Sequence, residues 1–206
     1  MKYLVPFLIS ISSLLFTSCK NEAYKLPYLG IHTLKNNDTV YYSLPEYKFS
    51  DQNGKEFGSA ELKSKPYIAY FFFTSCPSVC PRMTQSARRV QISLEKYKND
   101  FNIAAFSIDP DRDTFEKLRE FADRYQADMG NWHFIRGEEE KITDLGIKSF
   151  YVGISKDKLE PGGFLHSEKM ILVDSYGHLR GYYTGTDPEE VKQLIADMKE
   201  IIAENQ

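Results

Sequence analysis

Residues 66–84 read Pro66-Tyr67-Ile68-Ala69-Tyr70-Phe71-Phe72-Phe73-Thr74-Ser75-Cys76-Pro77-Ser78-Val79-Cys80-Pro81-Arg82-Met83-Thr84. The first eight are a near-continuous apolar run of strand length, as expected for a central strand covered on both faces. Directly beyond its carboxyl end stand two cysteines separated by three residues, each followed by a proline. After Pro81, the residues Met83, Ala87, Val90, Leu94 and Tyr97 recur at helical spacing. Pro81 suits a first-turn position, where its missing N–H costs no intrahelical bond. A buried strand therefore runs through a cysteine turn into a helix.

Working outward, alternating Tyr47 and Phe49 followed by Asp51-Gln52-Asn53-Gly54-Lys55 read as a strand, a turn and the start of a hairpin. Ile103 to Ile108 is a second buried-type strand, and Asp113-Thr114 opens a helix through Phe115, Leu118, Phe121, Ala122 and Tyr125. Glu138 to Ser149 reads as one further helix. The end supplies the strand Lys169 to Val173, a turn at Asp174-Ser175-Tyr176-Gly177, the strand Leu179 to Tyr183 and a helix from Pro188 to about Ala203. This order predicts an α/β domain with a thioredoxin-like fold and an added N-terminal hairpin, spanning 44–206. A chain of 206 residues, 42% hydrophobic, supports one such core.

The N-terminus reads differently. Lys2 precedes an apolar run from Leu4 to Phe16, and Thr17-Ser18 lead straight into Cys19. That is an export signal of the lipoprotein type over 1–19, in which Cys19 is lipidated and becomes the mature N-terminus. Phe16 stands where such signals usually carry Leu, and an uncleaved membrane helix is the alternative. Residues 20–43 are polar and broken and read as a flexible tether with a reach on the order of 80 Å. The expected location is extracytoplasmic, facing a periplasm, with the membrane reached through the lipid. A net charge of −3 with no arginine-rich run argues against nucleic acid as a partner.

With Cys19 used as an anchor, the three cysteines of the chain leave one close pair, Cys76 and Cys80. Outside the cytoplasm such a pair becomes a disulfide bond unless it is kept reduced or holds a metal. In a helical turn the spacing places both sulfurs on one face, and a helix N-terminus favours the thiolates that metal binding and thiol exchange both need. Thiolates suit Cu(I), and an added imidazole suits Cu(II). An inert disulfide or core filling is the bland reading. Met83 sits at core spacing and reads as packing. Asp113 is placed to cap the helix after it and Arg112 can neutralise its neighbours, so Asp109, Asp111 and Asp113 read as structural rather than as a hard-metal cluster. Asp109, at its strand end, is a candidate for tuning the cysteine site.

The turn Thr74-x-Cys76-Pro77-x-Val79-Cys80-Pro81, the stretch Asp109-Pro110-Asp111-Arg112-Asp113-Thr114 and Leu165-His166-Ser167 before a hydrophobic strand resemble the Sco/SenC family of copper proteins, over roughly residues 45 to 203. The family assists assembly of the dinuclear copper centre of cytochrome c oxidase. The resemblance implies copper, as Cu(I) and Cu(II), held by Cys76, Cys80 and His166, and an oxidase subunit as the acceptor. His166 follows the loop Glu160-Pro161-Gly162-Gly163, which suits a ligand that swings in. His32 in the tether, His133 in a strand and His178 after a turn read as solvated or packed. A metallochaperone is thus the leading expectation. The alternative is a thiol–disulfide oxidoreductase with Cys76 and Cys80 as its catalytic pair. A peroxiredoxin fits poorly, because Phe73 and Ala69 stand where that family needs Thr and Pro. A non-redox binding lipoprotein accounts for neither the cysteine pair nor His166.

Overall fold

The computed structural model describes residues 25–160 and 162–204, so the proposed signal and Cys19 lie outside the described residues. Two small hairpins open the chain. β1 (Thr33–Lys35) and β2 (Asp38–Val40) turn at Asn36 and Asn37, both at positive φ, which asparagine tolerates. β3 (Lys48–Ser50) and β4 (Glu56–Gly58) turn on Asp51, whose carboxylate accepts the backbone N–H groups of Asn53 and Lys55. A short α1 (Ser59–Leu62) leads to β5 (Tyr67–Phe72), buried along its whole length. Then follow α2 (Val79–Ser93), β6 (Asn102–Ser107), α3 (Phe115–Arg124), β7 (Trp132–Ile135) and α4 (Glu139–Asp144). A hairpin of β8 (Ile154–Lys156) and β9 (Phe164–His166) precedes β10 (Lys169–Val173), β11 (Leu179–Thr184) and α5 (Pro188–Glu204).

The five-stranded sheet runs β11-β10-β5-β6-β7. β5, β6 and β7 are parallel, and β10 joins β5 antiparallel. Both parallel crossovers advance the same way, so right-handed connection puts α2 and α3 on one face. There Phe121 of α3 meets Phe72 and Phe134. On the other face Phe71 stacks on Phe106 at 5.2 Å, and both are closed over by Phe150. The apolar run quoted first is thus the middle strand of a sheet covered on both sides, and its carboxyl end opens at the site.

Four expectations change. α2 begins at Val79, ahead of Pro81, so Cys80 already lies in its first turn and Cys76 stands outside it. Asp113 does not cap α3: the N-cap is Thr114, whose hydroxyl accepts the Lys117 N–H, because Asp113 is turned into the interior. The segment 138–149 is not one helix. α4 ends at Asp144 and a π-helical turn follows at Leu145–Ser149, closed by the Phe150 N–H donating to Leu145 O. A Cβ on Gly146 would stand 2.4 Å from Ile154 Cδ1, and the wide turn delivers Phe150 to the core. Finally, part of the stretch read as a tether packs on the domain, beginning with Leu26, which is 4% exposed, while residues 31–41 stay exposed. Leu29 pairs with Leu179, and buried Arg180 donates to the carbonyls of Leu26 and Pro27 while its guanidinium lies 4.3 Å over the Tyr28 ring. The polar residues around Leu26–Leu29 concealed this strap, whose partner Arg180 lies far along the sequence.

His133, read as solvated or packed, stacks on Phe57 with ring centroids 4.2 Å apart. Burial holds its imidazole down to about 4, with Asp51 opposing. As pH falls from about 6.5 toward 4 the unfolded chain takes up a proton that the folded protein refuses, so stability is lost across that window, by on the order of 3 kcal/mol at most. Urea unfolding between pH 7.5 and 4 should show this loss in the native chain and a smaller one in His133→Phe. Identical pH profiles for the two would contradict it.

Candidate metal centre

The site forms where the chain leaves β5. Cys76 lies in the turn, its N–H donating to Phe73 O at 3.3 Å, and Cys80 lies in the first turn of α2. The sulfurs therefore meet across a turn and a helix start rather than along one helical face. His166 arrives from the far end of the sequence as the last residue of β9, opposite Ile154. Its Nε2 stands 3.1 Å from Cys80 Sγ and 3.8 Å from Cys76 Sγ. Among the described residues these three form the one group of His, Cys, Asp or Glu suited to a metal ion, with ligand atoms all within 4.8 Å of one another. All three are buried, Cys80 completely and Cys76 and His166 at 7% and 8% exposure.

The histidine is oriented by its other nitrogen. Nδ1 lies 3.1 Å from Ser167 O, a carbonyl that can only accept, so Nδ1 carries the proton and the Nε2 lone pair faces the sulfurs. The Phe73 ring stands edge-on to the imidazole at 5.6 Å. Such an arrangement of a second-nitrogen bond fixing the free one is what a ligating imidazole requires.

The two thiols are unequal. That of Cys76 is pushed well below the ordinary thiol range, first by the hydrogen bond from the Cys80 thiol, with the Cys80 and Ser78 amides adding to it, against the opposing effect of burial. Burial drives the Cys80 thiol the other way, with the neighbouring Cys76 sulfur adding to it. The reduced pair thus holds one thiolate and one thiol sharing a proton. Two soft sulfurs and one imidazole with its lone pair turned inward are a donor set for copper: thiolates for Cu(I), with the imidazole suiting Cu(II).

Asp113 holds the turn in place. Its carboxylate accepts from Thr74 N–H at 3.1 Å, Thr74 Oγ1 at 2.5 Å and Ser107 Oγ at 2.5 Å. It thereby ties the ends of β5 and β6 two residues before Cys76. Burial raises its pKa despite these donors. Nothing in the local sequence signals this role, since the capping position looked sufficient.

The other candidates fall elsewhere. Asp109 is buried at the end of β6 and paired with Arg112, without joining the ligand group. Asp111 lines an open cleft with Arg136 and Glu138. Met83 is fully buried in α2, as packing. His32 bonds to its own exposed segment through Tyr28 O, and His178 lies 3.1 Å from Asp174. The hairpin that carries His166 was missed. Its signal was the alternation Phe164-Leu165-His166, buried, exposed, buried, after a glycine pair.

Replacing Asp113 by Ala strands the Thr74 N–H and the Ser107 hydroxyl in the interior. Urea unfolding should show a loss of about 2–4 kcal/mol, with Thr74→Val losing about 1 kcal/mol. The reaction of Cys76 and Cys80 with a thiol reagent should quicken in Asp113→Ala, and native reactivity there would argue against the tie.

The SCO1/SenC family profile matches residues 37–203. Among solved structures, a SCO1/SenC family lipoprotein from Bacillus anthracis is 32% identical, covering 78% of this chain and 95% of its own, with a TM-score of 0.72. BsSco, described as a member of the Sco family of cytochrome c oxidase assembly proteins with a disulfide switch, is 30% identical over 78% of this chain and 94% of its own, at a TM-score of 0.69. The ScoI protein of Bradyrhizobium japonicum, solved with copper bound, shares the fold at 24% identity and a TM-score of 0.66, over 78% and 99% of the two chains.

Proposed function

This chain belongs to the SCO1/SenC family, and on that premise we propose that it is a copper metallochaperone whose cargo is held by Cys76, Cys80 and His166. The observation that carries this reading is the inward lone pair of His166 Nε2, set beside both sulfurs by the Nδ1 bond to Ser167 O. Cu(I) takes the two thiolates, and His166 completes the set for Cu(II). Delivery proceeds by ligand exchange, with the acceptor's donors replacing the cysteines one at a time. Cys76, the more exposed sulfur, yields first.

The acceptor is a cytochrome c oxidase subunit, in keeping with the assembly role named for BsSco. Cys19 carries a lipid and holds the domain at the outer side of a membrane. The lipoprotein description of the Bacillus anthracis relative supports this.

A second reading, thiol–disulfide exchange, has one observation in its favour. A low-pKa thiol beside a buried one is the arrangement of an attacking and a resolving cysteine. Cys76 thiolate would attack a target disulfide, and Cys80 would then release the reduced target and leave the pair oxidised. That chemistry would use the His166 lone pair as a base for the buried Cys80 thiol and would not need it set beside Cys76 as well.

Titration of the reduced domain with Cu(I) and Cu(II), native against His166→Ala, separates the two. The expected result is one tight copper per chain, with Cu(II) weakened by at least about tenfold in the variant and Cu(I) affected less. Unchanged copper affinity in His166→Ala alongside full disulfide-reductase activity would overturn the chaperone assignment.

A further inference from the structure

The β8–β9 hairpin that carries His166 is a two-stranded sheet of its own and shares no strand pairing with the five-stranded sheet. A lone two-stranded hairpin is marginally stable in water. What keeps His166 over the cysteines must therefore be contacts between the hairpin and the body of the domain.

Those contacts converge on Arg112, in the loop between β6 and α3. Its Nε donates to the carboxylate of Asp109, which is buried at the end of β6 and fixes the root of the guanidinium. Its Nη2 donates to Gly162 O at 2.6 Å, on the loop leading into β9. The planar group also lies 5.7 Å from the Phe73 ring centroid and 5.9 Å from that of Phe164, the two rings that meet where hairpin and cysteine turn touch. One side chain thus spans three parts of the site: the β6 end, the turn before Cys76, and the hairpin two residues before His166. Gly162 is shaped for this contact. Its φ of +92 is left-handed, and a Cβ there would stand 2.7 Å from the Phe73 ring. Other contacts hold the β8 side of the hairpin, Ile154 buried against Gly146 and a surface ion pair of Lys156 with Glu139 at 2.7 Å, and neither reaches the loop that leads into His166.

We propose that Arg112 is a positioning residue, a latch that holds the β8–β9 hairpin closed and so sets whether His166 is presented to the two sulfurs. Closed, the site offers two sulfurs and an imidazole; released, it offers the sulfurs alone. The latch therefore governs Cu(II) binding far more than Cu(I) binding, a consequence that rests on the copper reading above. A fork is needed, since one nitrogen serves Asp109 and another Gly162 while the plane faces two rings, and an ammonium cannot do all of this.

The test uses the metal-free and copper-loaded domain with Arg112→Ala, Arg112→Lys, His166→Ala and the Ala/Ala double variant. Amide hydrogen exchange of the metal-free protein reads the latch without copper. Both Arg112 variants should speed exchange in residues 154–167 by about tenfold or more and leave β5 and β6 unchanged. In the loaded protein Arg112→Ala should weaken Cu(II) by about tenfold, leave Cu(I) within about twofold, and add little to His166→Ala in the double variant. Native hairpin exchange in Arg112→Ala overturns the latch. So does equal weakening of Cu(I) and Cu(II), and so does full additivity with His166→Ala. A native domain that binds no copper overturns the copper reading instead, and faster hairpin exchange still supports the latch.

Discussion

The buried carboxylate of Asp113 joins the carboxyl ends of β5 and β6 through Thr74 and Ser107, and the site is built on that junction. A parallel sheet has to release each strand into a crossover at this end, and the backbone groups freed there need partners. One carboxylate takes the Thr74 N–H at the residue where β5 gives way to the cysteine turn, and the Thr74 and Ser107 hydroxyls besides. The turn is then short enough for Cys76 to bond back to Phe73 and for Cys80 to enter α2 at once. Two sulfurs fixed by the same junction need only one further donor to become a metal site.

That donor comes from a separate element, which divides the site into a rigid part and a movable part. The cysteines share the stability of the central sheet, whose strand β5 is buried from end to end. His166 shares the stability of a small hairpin, held by Arg112 and by the contact of Phe164 with Phe73. A protein that takes up an ion and gives it away benefits from this division. On the proposed reading the thiolates would keep their geometry while His166 closes or is released, and delivery would not require the core to move.

Much of this was legible in the sequence, for definite reasons. The run Pro66 to Phe73 has no polar face, which leaves a doubly covered strand as its reading, and the fold order followed from it. The cysteine pair stood out through spacing and through the scarcity of cysteine. His166 was reached through resemblance, because nothing in its local sequence separates it from a solvated loop histidine. What was not legible depended on tertiary partners. Asp113 looked like a cap until Thr74 and Ser107 claimed its carboxylate. The strap at Leu26 to Leu29 is held by Arg180, about 150 residues away in sequence. The π-helical turn at Leu145–Ser149 passes Gly146 close against Ile154, a contact that no helical pattern records.

The central claim is that Cys76, Cys80 and His166 close on one copper ion. X-ray absorption at the copper edge, on the domain loaded with Cu(II) and again after reduction to Cu(I), reads the donor atoms directly. The account predicts two sulfur donors in both states, a histidine nitrogen in the Cu(II) state, and loss of that nitrogen in His166→Ala. A first shell of oxygen and nitrogen without sulfur, or a histidine signal that survives His166→Ala, would contradict it.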